Sequence, residues 1–156
     1  MVKFFSKHEA MNWCAENKFA LNDRGFPDCS SAEQKFDIPI DAQKRVALVK
    51  RIMGEFVNST NLLIWYDDWM VWESGQWMPL VLRLRESYGE GRKLIDIPAQ
   101  LFGNGEIEDA TSFVVIAVLF LFDCYIICSD QRRIIHFSHD EWGLAKTVPL
   151  RPTDFQ

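Results

Sequence analysis

The sequence FVVIAVLFLF, residues 113–122, decides the fold of this chain, because it is an unbroken run of ten apolar residues. It is too long for a typical strand and too short for the roughly 20 residues that a membrane-spanning helix needs. Glu106, Glu108 and Asp109 come just before it, where carboxylates are favourable at the positive end of a helix dipole. The run therefore predicts a buried helix, although its β-branched residues argue against one.

Directly after this run the sequence indicates a β-hairpin. Residues 124–128 (CYIIC) and 134–137 (IIHF) are apolar, and the polar residues 129–132 separate them. Both strands carry apolar residues on both of their faces, so each face of the sheet must be covered. We therefore expect an antiparallel pair of strands between helices.

Three more helices are predicted from capping signals and periodicity. Ser6 and Glu9 form a capping-box signature at the start of the chain. Asp41 is placed to cap a helix over residues 42–57, where apolar residues recur at intervals of three and four. Pro79 suits the first turn of a third helix.

Together these signals predict an α+β fold in a single domain, residues 1–156. A small, mostly antiparallel sheet should contain strands 62–69 (LLIWYDDW), 124–129 and 134–138, packed by about four helices. Residues 147–156 contain two prolines and are predicted to be an extended tail. A domain of 156 residues buries of the order of two thirds of its unfolded surface, which suffices for one core.

Composition and charge narrow the classes of function. The net charge of −5 and the pI near 5.2 oppose binding to a phosphate backbone and favour a basic partner. The amino terminus shows no signal-peptide pattern, so we expect a cytoplasmic protein with no membrane partner. Glycine spacing matches neither a P-loop nor a dinucleotide fingerprint, and no cofactor is predicted. The sequence has no C-x-x-C pair, so its cysteines are expected to be free thiols. They are Cys14, Cys29, Cys124 and Cys128.

Three segments within roughly residues 60–142 stand out: a Trp-rich strand, a Pro-x-x-Leu-Phe segment with the helix before it, and a closing Ser-His-Asp-Glu. They are Trp65–Ser74, Pro98–Phe102 and Phe137–Glu141. Together they resemble an uncharacterised family of small bacterial proteins. Where such proteins are expected to read Pro-Gly-His-Leu-Phe, this chain has Ala99 and Gln100 and lacks the histidine. The resemblance implies no established activity.

Ser138, His139 and Asp140 are the residue types of a hydrolase triad. On an extended chain, however, neighbouring side chains point to opposite faces, so three contiguous residues cannot form that triad. No Gly-x-Ser-x-Gly nucleophile elbow is present either. We therefore predict no catalytic residues.

The leading candidate site combines tryptophans with acids. Tryptophan and tyrosine dominate protein-binding hot spots, and an acidic rim steers basic partners. We expect Trp69 or Trp72 to be partly exposed, because both follow the acids that end a buried strand. The sequence thus favours a non-enzymatic, cytoplasmic protein-binding module of an immunity-like kind. The predicted binding residues are Asp67, Asp68, Trp69, Trp72, Glu73, Asp140, Glu141 and Trp142.

Two alternatives stay open at this point. One is a metal-dependent hydrolase, because acids and histidines at strand ends are common ligands of divalent ions. Metal analysis and thermal shifts with zinc or manganese would separate it from a binding module. The other is an obligate homodimer, for which light scattering is the test. The ligands of the metal alternative would be Asp67, Asp68, His136, His139 and Asp140.

Overall fold

The computed structural model describes residues 1–69, 75 and 77–149 of the chain. Within them, four helices pack on one sheet of seven strands, which confirms the predicted α+β class. The sheet is larger than the three strands predicted. The elements are β1 (Lys3–Phe5), α1 (Lys7–Glu16), β2 (Gln34–Asp37), α2 (Ala42–Gly54), β3 (Asn61–Tyr66), α3 (Met78–Ser87), β4 (Ala99–Gly103), α4 (Ile107–Leu119), β5 (Cys124–Cys128), β6 (Arg133–Phe137) and β7 (Trp142–Thr147).

The strands run in the order β1-β4-β3-β5-β6-β7-β2, and every neighbouring pair is antiparallel. The predicted hairpin is confirmed as β5 and β6, with Ile126 opposite Ile135. Both side chains are buried, with 0% and 1% of their surface exposed. The hairpin lies next to β3 in the middle of the sheet, because its strands are apolar on both faces.

Helices cover both faces of the sheet, as the apolar strands require. Leu62, Ile64 and Tyr66 of β3 face α2, α3 and α4. Leu63 and Trp65 point the other way and pack with α1 and the loop that follows it. Two separate cores therefore lie on either side of β3.

The apolar run forms α4, as predicted, although the helix ends at Leu119 and the last residues of the run form a turn. Leu121 there adopts a left-handed backbone conformation with φ of 56°. Phe113 of α4 is fully buried. No helix among the described residues combines the length and apolar character needed to cross a membrane.

Four strands and several boundaries differ from the sequence prediction. β1, β2, β4 and β7 were not among the three predicted strands, because they are short or contain polar residues and glycine. Gly143 in β7 is required, since a Cβ atom there would lie 2.2 Å from the Phe36 ring. β3 ends at Tyr66 and not at residue 69. Thr147 ends β7, and residues 150–156 of the predicted tail lie outside the described residues.

Candidate protein-docking surface

The antiparallel order brings acids from distant parts of the chain to one edge of the sheet. Asp67 and Asp68 follow β3, Asp123 precedes β5, and Asp140 follows β6. The backbone N–H of Asp67 donates to the carbonyl of Asp123, and that of Asp123 donates to the carbonyl of Asp68, at 2.8 and 2.7 Å. We call these four residues the acidic end. Three of them belong to the predicted site, and Asp123 was missed.

Asp67 forms an ion pair with Arg24, which is 43 positions away in the sequence. Both carboxylate oxygens lie 2.9 Å from Nη2 of Arg24. The Asp67 side chain is only 7% exposed, whereas that of Arg24 is 67% exposed. Burial raises the pKa of Asp67 above its ordinary value, because the opposing charge of Arg24 offsets only part of the effect.

A cavity of about 440 Å³ lies beside this ion pair. We call it the Arg24–Asp67 pocket. Trp69 lines it and is half-buried, as the sequence led us to expect for one of the two tryptophans. Ile95, also in the lining, is 72% exposed. The lining consists of Lys7, Arg24, Phe26, Tyr66, Asp67, Trp69, Ile95 and Pro98.

Asp123 holds His139 at the other side of the acidic end. Its Oδ1 atom accepts a 2.7 Å hydrogen bond from the backbone N–H of His139 and lies 2.9 Å from Nδ1 of the ring. The Nε2 atom of His139 is 3.6 Å from Asp140. Burial alone would lower the pKa of His139, but Asp123, Asp140 and Asp68 outweigh it, so the pKa is raised.

This pair predicts a pH dependence of folding stability. Because its pKa is raised in the folded state, protonated His139 stabilises the fold fully below the unfolded pKa of about 6.5. Above about pH 7, where the opposite contribution of His136 is nearly complete, the free energy of unfolding should fall as the pH rises through the folded pKa of His139. Urea denaturation measured across that range would show the slope.

The slope should flatten in Asp123→Asn and persist in His8→Gln, which changes an exposed histidine on α1. His136 contributes a slope of opposite sign, because burial lowers its pKa to about 4, but this contribution is largely complete once the pH exceeds the unfolded value of about 6.5. An unchanged slope in Asp123→Asn would contradict the assignment.

The other residues of the predicted site do not join the acidic end in the described part of the structure. Glu141 turns away and pairs with Arg45 at 3.1 Å. Trp142 lies beside His136 on one face of the sheet, with ring centroids 5.6 Å apart, and Lys35 lies over its ring. Trp72 and Glu73 fall outside the described residues.

The two histidines of the metal alternative are held by different partners, although His136 and His139 interact electrostatically. His136 stacks on Tyr125 with 4.3 Å between ring centroids, whereas His139 is held by Asp123. Across residues 1–69, 75 and 77–149, no group of three or more His, Cys, Asp or Glu is arranged to hold a metal ion. The hypothesis of a metal-dependent hydrolase is therefore supported by the sequence pattern alone.

No protein-family model matches this chain, and no curated protein or solved structure is significantly similar to it. Its function has to be argued from its own residues. The likeness to small bacterial proteins rests on the three segments quoted above, and the first of them, Trp65–Ser74, lies partly outside the described residues.

Sequence patterns contain little signal for the two residues that complete the site, Asp123 and Arg24. Asp123 is a single acid between the apolar run and the hairpin, and that position is its only signal. Arg24 lies in a polar turn where a charged residue is ordinary. Both become notable only because the fold places them against Asp67 and His139.

Proposed function

We propose that this chain is a non-enzymatic protein-binding module that docks a basic partner on the acidic end of its sheet. One observation carries the proposal: carboxylates from three separate parts of the chain gather at one end of the sheet, and one of them, Asp67, shares a pocket with the half-buried Trp69. A tryptophan anchor beside charged groups is typical of interface hot spots, where the aromatic ring supplies contact area and the charges select the partner.

Charge supports a basic partner. The acidic end contains four carboxylates, and cations of the described part of the chain that interact with them include Arg24, Lys7 and, when protonated, His139. The whole chain carries a net charge of −5, so its long-range field attracts basic proteins as well. The same field opposes nucleic acid, which needs a surplus of Lys and Arg on the binding face.

The hydrogen bonds around His139 favour binding over catalysis. A hydrolase would need a nucleophile within reach of that imidazole. Ser138 is the adjacent hydroxyl, but it is buried and its Oγ accepts a hydrogen bond from the backbone N–H of Asp140 at 3.2 Å. Its hydroxyl group therefore caps the turn between β6 and β7.

These properties fit an immunity-like protein of the bacterial cytoplasm, which would neutralise a basic toxin by covering its surface. A small acidic domain whose carboxylates gather at the acidic end suits that role, because charge complementarity with a basic toxin speeds association. We thus propose both a cytoplasmic location and an immunity-like role for this chain.

Charge and aromatic variants test the docking surface. A partner captured with the wild-type chain would be purified, and its Kd and association rate measured by biolayer interferometry at two salt concentrations. Asp68→Asn with Asp140→Asn should weaken binding about tenfold at low salt and reduce its salt dependence, because steering charges are lost. Trp69→Ala should raise the dissociation rate, because it removes the aromatic anchor.

The matched control removes two exposed carboxylates elsewhere, with Glu16→Gln at the end of α1 and Glu108→Gln at the start of α4. It changes the net charge by the same amount, so it separates local docking from the overall field. Binding that is retained in the acidic-end variants, or lost equally in the control, would overturn the proposal.

A further inference from the structure

We propose that the Arg24–Asp67 pocket receives an arginine side chain of the partner. Until the partner binds, the chain's own Arg24 forms the ion pair with the Asp67 carboxylate. The inference rests on the proposed function and adds which partner residue is recognised. It follows from the pairing geometry, the aromatic walls and the charge balance of this pocket.

The pairing geometry leaves Asp67 open to a better partner. Both of its oxygens lie 2.9 Å from the same nitrogen of Arg24, Nη2. The strongest guanidinium–carboxylate arrangement uses two nitrogens for two oxygens, with parallel hydrogen bonds. An incoming guanidinium that approaches through the cavity can adopt this arrangement, because Asp67 lines the pocket.

Arg24 itself is held loosely enough to be displaced. Its side chain is 67% exposed, and an ion pair that is open to water on one side contributes little stability. The backbone is anchored separately, because the N–H of Arg24 donates to Oδ1 of Asn22 at 2.9 Å. The side chain can therefore rotate away while the turn keeps its shape.

The walls of the pocket suit a planar cation. Phe26, Tyr66 and Trp69 line it, and because Phe26 and Tyr66 are only 6% and 1% exposed, the half-buried Trp69 offers the ring face on which a guanidinium group can stack. Phe26 already attracts cations, with Nζ of Lys7 at 4.4 Å and Cζ of Arg24 at 5.4 Å from its ring centroid. The volume of about 440 Å³ persists with Arg24 in place, so an entering side chain has room.

The charge balance requires that one cation replace another. Asp67, Asp68 and Asp123 interact electrostatically at this position with two cations, Arg24 and Lys7. If Arg24 leaves, Asp67 loses the cation that pairs with it directly. A carboxylate as buried as Asp67 is costly without a counter-charge. Exchange of Arg24 for the partner's guanidinium keeps the Asp67 carboxylate paired with a cation.

Short peptides test this subsite without a purified partner. We would titrate acetyl-Gly-Arg-Gly-amide, its lysine analogue and its citrulline analogue into ¹⁵N-labelled protein and follow the indole N–H signal of Trp69. The arginine peptide should shift this signal saturably and the lysine peptide should bind more weakly, because a point charge cannot pair with both oxygens and stack. The neutral citrulline peptide should not bind measurably.

Variants of the pocket then test the displacement. Arg24→Ala should raise the affinity for the arginine peptide roughly two- to fivefold, because it removes a competing, partly exposed ion pair. Asp67→Asn should abolish saturable binding. Arg83→Ala is the matched control, because Arg83 is an exposed arginine that pairs with Glu86 on α3, and it should leave the affinity unchanged.

Citrulline or lysine binding that equals arginine binding would overturn the inference. An unchanged affinity in a folded Arg24→Ala variant would do the same, and Arg24→Gln provides a second variant should the alanine form not fold. Failure here is distinguishable from failure of the docking surface. Suppose that Arg24→Ala leaves the peptide affinity unchanged while Asp68→Asn and Asp140→Asn still weaken partner binding. That result would refute only the arginine subsite.

Discussion

Replacing Phe113 by alanine should lower the free energy of unfolding by about 3–5 kcal/mol, the usual cost of removing a large aromatic side chain from a packed core. The Phe113 side chain is fully buried. Its ring centroid lies 5.3 Å from that of Phe102, 5.6 Å from that of Tyr88 and 6.3 Å from that of Phe4. These rings come from β4, the end of α3 and β1.

The loss should be large because the cavity cannot close easily. The partner rings belong to three different elements, so collapse would require separate backbone segments to move together. Urea denaturation at constant m-value would measure the change in free energy.

Ser112→Ala is the control for Phe113, because the neighbouring serine is exposed on the same helix. It should change stability by no more than about 0.5 kcal/mol. A loss of less than about 1 kcal/mol in Phe113→Ala would contradict the packing described for α4.

Replacing Arg85 by methionine should instead raise the free energy of unfolding, by about 1–2 kcal/mol. The Arg85 side chain is completely buried on α3. Its Nη2 atom donates to the carbonyl of Ile97 at 2.7 Å, but among the described residues neither Nε nor Nη1 has a hydrogen-bond partner. The nearby buried Glu90 pairs with Arg92 at 2.5 Å.

A buried charge with unsatisfied donors is costly, and an apolar side chain of similar length avoids that cost. Methionine keeps the contacts of the arginine stem, at the loss of one hydrogen bond to the backbone. Desolvation already lowers the pKa of Arg85, which reflects the same penalty on its charged form.

Arg83→Met is the matched control for Arg85, because it makes the same change on the exposed side of α3. It should leave the free energy of unfolding within about 0.5 kcal/mol of the wild type. A lower denaturation midpoint for Arg85→Met than for Arg83→Met would show that the guanidinium stabilises the native core.

The elements that the sequence predicted correctly are those with local physical causes. The capping box at α1 is present, with Oγ of Ser6 accepting from the N–H of Glu9 at 3.2 Å and Oε2 of Glu9 accepting from the N–H of Ser6 at 2.7 Å. Asp41 caps α2 by accepting from the N–H of Lys44. Residues three apart form these bonds, so the sequence encodes them directly.

The strands that were missed depend on distant partners. β4 contains Gln100, a buried polar residue whose Nε2 donates to the carbonyl of Ile64 at 3.1 Å. Sequence patterns treat such a glutamine as a surface residue, because its partner lies 36 positions earlier in the chain. β7 was obscured by Gly143, which is needed because the ring of Phe36 from β2 and the backbone carbonyl of His136 pack against it.

By itself, the sequence determined that a long apolar helix and a two-faced hairpin form the core, because burial of apolar side chains follows from local composition and periodicity. Only the tertiary structure decided that Asp67 meets Arg24 and that Asp123 holds His139. Those contacts depend on the order of strands in the sheet, and the loops set that order through interactions that no short stretch of sequence contains.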